Sequence, residues 1–372
     1  MNILIISWLL TPATTPRAFR TTELAVALSK MGHNVTVYAN IGKQDYSEFM
    51  QKTGVKICPI KMRFPMLNSS GEYNFTFFDR VCNKLLKRII LFPFIEFLWK
   101  VPAIIKREAR TTDLLISIAY PHPIHWGCTL AKKMYSDIFP KCWISDCGDP
   151  FMGNQVSKPL PYFKCFEKWW GGQTDYITIP IEDGRDGYYP EVQDKIRVIP
   201  QGFDFEATPL AHYKKSQVPT FIYAGQLIPK YRDVTEFLQY LSTLDFDFKF
   251  IMYTQSPIDE MFKQKLGDKL EIRTYIPRKD MVYMLSTADF LINIRNKNQI
   301  QSPSKLIDYG ISKRPILSIS TKFEEQTYFE EFIAGNYEHQ TIIENIDDYR
   351  IENVAAKFMD IATSHLSAST VK

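Results

Sequence analysis

The stretch "NILIISWLLTPATTPRAFRTTELAVALSKMGHNVTVYAN", residues 2–40, decides the fold class. It opens with "NILIISWL" (2–9), an Ile- and Leu-rich run of the kind a strand shows when both of its faces are buried. "TTELAVALSKMG" (21–32) spaces its apolar residues at helical intervals, and Gly32 stands where a helix ends on a left-handed residue. "HNVTVYAN" (33–40) is the next strand. Strand, helix and strand in this order form a βαβ unit, which implies a parallel sheet.

The alternation continues along the chain. Further strands are expected in "VKICPI" (55–60), "DLLISIAY" (113–120), "KCWISD" (141–146), "YITIP" (176–180) and "IRVIPQG" (196–202), with helical stretches between them. A second series follows, with strands in "TFIYAG" (220–225), "FDFKFIMYT" (246–254), "EIRTYI" (271–276), "DFLINIR" (289–295) and "RPILSIS" (314–320). The polar, proline-bearing segment 201–219 reads as a linker. This divides the chain into an N-terminal Rossmann-like domain (1–203), a C-terminal one (204–350) and a last helix (351–372) expected to pack back toward the first domain. Two such α/β domains facing each other make a cleft at the C-terminal ends of their strands, where ligands of open α/β sheets bind.

Composition agrees with this and removes several function classes. A chain of 372 residues suits two domains, and 45% hydrophobic against 23% charged residues is a globular balance. The net charge of +4, without a long basic run, gives no reason to expect nucleic acid as a partner. The 6 cysteines are scattered without zinc spacing, which reads as reduced thiols in a cytoplasmic protein with no metal site. "MNILIISWLL" lacks a basic start and a small-residue cleavage site, so it reads as a strand rather than a leader. The apolar stretch 89–105 is broken by Pro93, Glu96, Lys100 and Pro102, which argues against a membrane-spanning helix.

Candidate site residues fall at the ends of the expected strands. The first strand–helix turn (9–23) contains no glycine, which counts against a dinucleotide-binding dehydrogenase. Its Thr14, Thr15 and Arg17 either line an acceptor or interdomain loop or form an ordinary helix start. "SIAYPHPIHWG" (117–127) puts His122 and His125 after a strand, as candidate catalytic groups. "WISDCGDPF" (143–151) puts Asp146 and Asp149 after another, either for chemistry or as the capped start of a helix. In the second half, "YAGQLIPKYRD" (223–233) sets Gly225 at a strand end, with Gln226, Lys230 and Arg232 beyond it. A glycine there lets a ligand come close to the backbone, and cations there suit a diphosphate. In "QSPSKLIDYG" (301–310), the N–H groups around Ser304 and Lys305 would cradle a phosphate at a helix start. Asp308, one turn on, would accept hydrogen bonds from a ribose diol. The plain alternative is a surface ion pair between Lys305 and Asp308.

Taken in order, "VIPQGFD" (198–204), "FIYAGQL" (221–227), "YIPRKDMVYMLSTADFLINI" (275–294) and "SPSKLIDYGISKRPIL" (302–317) resemble the retaining glycosyltransferases of family 4. The N-terminal half fits the same family through "MNILIIS", "ELAVALSKMGHNVTVYA" and "WISDCGDPF", so the resemblance covers nearly the whole chain. It implies the GT-B fold, an α/β architecture of two Rossmann-like domains facing across a cleft. It also implies a nucleotide diphosphate sugar on the C-terminal domain and an acceptor on the N-terminal one. By the same resemblance Gly225, Gln226, Lys230, Arg232, Ser304 and Lys305 face the donor diphosphate, Asp308 the ribose and Tyr275, Ile276 and Pro277 the base. His122, with His125 second, stands for the family's active-site histidine. Asp308 replaces the glutamate of most members, and Ile300 falls where they keep a second carboxylate. Asn296, Asn298, Gln301 and Ser302 are left as side chains for the donor sugar. The implied reaction is metal-free, cofactor-free transfer with retention, to a glycan or lipid-linked acceptor in bacterial surface-polysaccharide assembly. A nucleotide-sugar epimerase and a non-catalytic binding protein of the same fold are the competing readings.

Residues 79–110 hold eight Lys or Arg against three Asp or Glu, with Lys84, Lys87 and Arg88 beside Phe92, Phe94, Phe97 and Trp99. Such a stretch, centred on residues 80–110, is expected either to rest on the anionic inner face of the cell membrane or to be a core helix pair with a basic outer face.

Overall fold

A computed structural model of the chain describes residues 1–63, 77–154, 158–228, 232–295 and 304–370, with the side chains of 77–83, 304, 369 and 370 left out. The opening βαβ reading appears as β1 (Asn2–Ser7), α1 (Pro16–Lys30) and β2 (Asn34–Ala39). After these come α2 (Ser47–Thr53), β3 (Lys56–Pro59), α3 (Phe77–Ile90), α4 (Phe97–Glu108), β4 (Leu114–Ile118) and α5 (Pro123–Met134). The series ends with β5 (Cys142–Asp146), α6 (Phe163–Gln173), β6 (Tyr176–Ile179) and β7 (Ile196–Val198).

The seven strands form one sheet in the order β3-β2-β1-β4-β5-β6-β7, and every pairing is parallel. Every residue of β4 and of β5 is buried, the pattern of strands covered on both faces, with Ser117, Ser145 and Asp146 as polar members of otherwise apolar runs. One sheet face packs against Leu24 and Leu28 of α1; the other packs against Phe97 and Val101 of α4 and Ile124 and Cys128 of α5. Gly127 lets α4 and α5 touch: a Cβ there would fall 2.3 Å from the Phe97 carbonyl oxygen.

The second series contains β8 (Thr220–Ala224), α7 (Thr235–Leu241), β9 (Lys249–Tyr253), α8 (Glu260–Leu266), β10 (Leu270–Arg273) and α9 (Arg278–Ser286). It continues with β11 (Phe290–Ile294), α10 (Ser304–Ile311), β12 (Ile316–Ile319) and α11 (Gln326–Ala334). Its parallel sheet runs β10-β9-β8-β11-β12. Stacked phenylalanines fill one side, with Phe221 4.9 Å from Phe250 and 5.0 Å from Phe290. Met281, Leu285 and Tyr309 fill the other. The last helix, α12 (Ile351–Thr370), buries Val354, Ala355, Phe358 and Ala362 in the same core as α1. The chain thus divides into one compact unit of Met1–Phe203 with Asp348–Lys372 and another of Asp204–Asp347.

In each sheet the first strand is an interior one and the chain winds outward from it in both directions. The order reverses between β1 and β4 in the first unit and between β8 and β11 in the second. Crevices at the C-terminal ends of such strand pairs are where open α/β sheets place their ligands.

The basic aromatic stretch is part core and part surface. Phe94 and Phe97 are core residues, their rings edge-on to Trp8 at 5.6 and 5.9 Å, because α4 lies flat on the sheet. Lys84 to Ile90 of α3 and Trp99 of α4 are exposed. Among the described residues no helix is long and apolar enough to cross a membrane.

Candidate functional site

At the reversal point of the second unit, β8 ends at Ala224 and the backbone turns at Gly225, with φ at +149°. A Cβ at Gly225 would stand 3.3 Å from the Tyr223 hydroxyl and 3.7 Å from Lys305 Cδ. The positive φ and the closeness both favour glycine. The Gly225 N–H donates to Tyr253 O at 3.0 Å. Beyond it Ile228 and Arg232 exchange two backbone hydrogen bonds, of 3.1 and 2.7 Å. This folds the loop back, so that Arg232 donates through NH1 to the Gln226 carbonyl at 3.2 Å.

From the other side of the reversal comes α10. Its Tyr309 is fully buried, accepts from the Ala224 N–H at 2.8 Å and donates to Ile292 O at 3.1 Å. One side chain therefore pins the helix to both central strands. Lys305, in the first turn, passes over the Tyr223 ring at 4.8 Å, and its ammonium has no hydrogen-bond partner among the described residues. Burial, and then the charge of Arg232, push its pKa down to about 7. Two cations and the positive end of a helix dipole converge here, an arrangement that an anion would complete.

Asp308, one turn along α10, does not pair with Lys305. Arg278 at the start of α9 reaches its Oδ1 with Nε at 2.7 Å and NH2 at 2.6 Å. Burial raises the Asp308 pKa, and the Arg278 charge opposes the rise. Just upstream of Arg278, Tyr275 is exposed, Ile276 is half-buried and Pro277 precedes α9 as its cap. Ile276 helps to line an open pocket of about 600 Å³ together with Tyr253, Arg273, Thr274, Tyr283 and Met284.

In the first unit the loops after β1 and β4 hold the other candidates. His122 opens α5 almost buried, its ring 4.7 Å from Phe151, and burial lowers its pKa to about 3. His125, one turn on, is fully enclosed: Nδ1 meets Ser117 Oγ at 2.9 Å and Nε2 meets Cys147 Sγ at 3.4 Å. Its side chain is packed within the core of this unit. Donor atoms of His122, His125 and Cys147 lie within 4.8 Å of one another. This is an imidazole–thiol set of the type that binds zinc, brought together by the fold and invisible in the spacing.

Asp146 is also structural. It receives Arg17 NH1 at 3.0 Å, Arg20 NH2 at 2.8 Å and the Thr178 hydroxyl at 2.8 Å, and these partners hold its pKa down against burial. Such a saturated carboxylate is no acid or base. Asp149 is exposed in the following loop, Thr15 caps α1 by accepting from the Ala18 N–H, and Thr14 is exposed.

No protein-family model and no curated protein matches the chain. Solved structures do. A glycosyltransferase from Rickettsia africae is 14% identical, with a TM-score of 0.63 and 98% of each chain covered. Anabaena HepE, solved with UDP and glucose, is 8% identical, with a TM-score of 0.58 over 98% of this chain and 100% of the other. The catalytic domain of starch synthase IV from Arabidopsis thaliana, bound to ADP and acarbose, is 11% identical, with a TM-score of 0.58 and 99% of each chain covered. The chain has the GT-B fold.

Within this GT-B chain the fold gathers Gly225, Gln226, Arg232, Lys305 and Asp308 at one reversal point, and His122 and Arg17 at the other. Lys230, Asn296, Asn298, Gln301 and Ser302 lie outside the described residues, and Ser304 is described only as the first residue of α10. Sequence reasoning missed Arg278, Tyr309 and Tyr223. Arg278 directly follows "YIP" and was legible as a cation at a helix start; the partners of the two tyrosines were not legible at all.

Proposed function

We propose that the chain transfers a sugar from a nucleotide diphosphate sugar, with UDP as the nucleotide, to a glycan or lipid-linked acceptor with retention of configuration. The place proposed for this reaction is bacterial surface-polysaccharide assembly. The supporting observation is Lys305: a largely buried ammonium without a hydrogen-bond partner among the described residues, beside a second cation, at the start of α10. A buried, unpaired cation is unfavourable unless a ligand compensates it. In the proposed step Lys305, Arg232 and the α10 N–H groups stabilise the leaving diphosphate. The acceptor hydroxyl attacks on the leaving-group side and gives its proton to the departing phosphate, a step that draws on no metal. His122, being neutral, serves as a hydrogen-bonding group for the sugars rather than as a proton source.

The N-terminal unit is proposed to hold the acceptor and to rest on an anionic membrane through α3. Exposed Leu85, Leu86, Ile89 and Ile90 fall within an arc of about 140° at the helical repeat, and Lys84, Lys87 and Arg88 fall on the remainder. Incubation with UDP-sugars and a glycan acceptor tests the reaction. A glycoside that keeps the donor's anomeric configuration is expected. An epimerised nucleotide sugar formed without acceptor, or tight donor binding with no turnover, would replace this reading with one of its competitors.

A further inference from the structure

Arg278, at the start of α9, is joined to Asp308, the carboxylate of α10. Its Nε and NH2 both converge on Asp308 Oδ1, at 2.7 and 2.6 Å, instead of gripping the two oxygens as a fork. No hydrogen bond from a described residue reaches Oδ2. Both side chains stay partly open, at 24% and 20% exposure. Burial works against the charge on Asp308, and Arg278 is the cation that opposes it. Arg278 thus favours the charged carboxylate, the form that only accepts hydrogen bonds. Arg278 also follows two residues after Ile276, which lines the open pocket.

We propose that Arg278 is the positioning residue of the ribose subsite: it holds Asp308 by one oxygen and leaves the other oxygen for the hydroxyls of a nucleoside diphosphate. This rests on the nucleotide reading above and deepens it. The alternative geometry is an arginine that occupies the ribose place and competes with the ligand.

Titration calorimetry with UDP and with 2′,3′-dideoxyuridine diphosphate separates these. The wild-type chain is expected to favour UDP by about tenfold to a hundredfold, the scale of hydrogen bonds to a charged group. Arg278→Ala is expected to lower UDP affinity by about tenfold, leave dideoxy affinity unchanged and so remove most of the discrimination. Arg278→Lys should restore part of it, which loss of packing alone would not predict, and Arg278→Gln provides a second variant if the alanine form folds poorly. In an Asp308→Ala background, removing Arg278 should add nothing further. Full discrimination in the folded Arg278 variants, or tighter UDP binding by them, overturns the proposal. Absence of UDP binding by the wild-type chain overturns the nucleotide reading itself, which is a separate outcome.

Discussion

At the reversal point of the first sheet a carboxylate lies between two arginines; at that of the second, a lysine approaches an arginine with no carboxylate bonded to it among the described residues. The same α/β architecture has used charge in opposite ways. Asp146, Arg17, Arg20 and Thr178 satisfy one another, and Arg20 also donates to Pro200 O at 2.7 Å, so this network ties α1, β5, β6 and the end of β7's loop together. Around Lys305 the ammonium has no hydrogen-bond partner among the described residues. A satisfied buried network holds a fold, whereas an unsatisfied one costs stability that a ligand restores.

The sharpest way to break this comparison is Asp146→Ala. It would leave Arg20, almost fully buried, without its counter-ion, and a loss of about 3–5 kcal/mol in urea unfolding is expected. A loss near zero would show that the first network is not structural. Lys305→Met should do the reverse: UDP affinity falls by about tenfold to a hundredfold while the thermal midpoint of the free protein stays level or rises. A fall in both would make Lys305 a structural residue.

A smaller effect concerns pH. The Lys305 pKa is lowered from 10.5 to about 7 in the folded chain. Between these values the unfolded chain holds a proton that the folded chain lacks, so the free protein gains stability as pH rises through this window. UDP binding favours the charged form and works against that trend. Its affinity is expected to fall above pH 7 by up to about tenfold per unit, with proton uptake seen by calorimetry in buffers of different ionisation enthalpy. The Lys305→Met variant should lack this uptake. The smallest expected effect is at His122, whose pKa near 3 keeps it neutral across the working range. His122→Asn should lower turnover by about tenfold without adding or removing an inflection in the rate profile between pH 5 and 8. A lost inflection would make it the proton-transfer group.

How far each feature could be read in advance follows from how local its cause is. The strands, helices and linker were legible because Ile, Leu and Val runs, helical spacing and glycine stops act over a few residues. Gly225, Arg232, Lys305 and Asp308 were legible as strand-end and helix-start residues, and the sheet order then brings them to one place. Their partners were not. Arg278 meets Asp308 across 30 residues, and Arg20 meets Asp146 across 126, and no short-range pattern marks either pair. The spacing of His122 and His125 treated them as alternatives, but the packing of α5 buries one against Ser117 and Cys147 and leaves the other at the edge. The aromatic run 92–99 likewise divided, with Phe94 and Phe97 turned into the sheet and Trp99 outward.

The amino-acid sequence by itself determined two parallel α/β series, their boundary near residue 203 and the strand ends where chemistry would sit, because backbone periodicity is encoded residue by residue. Only the tertiary structure decided which charges are spent on the fold and which remain for a ligand. That distinction depends on burial and on partners distant in the chain, and both exist only once each unit has folded.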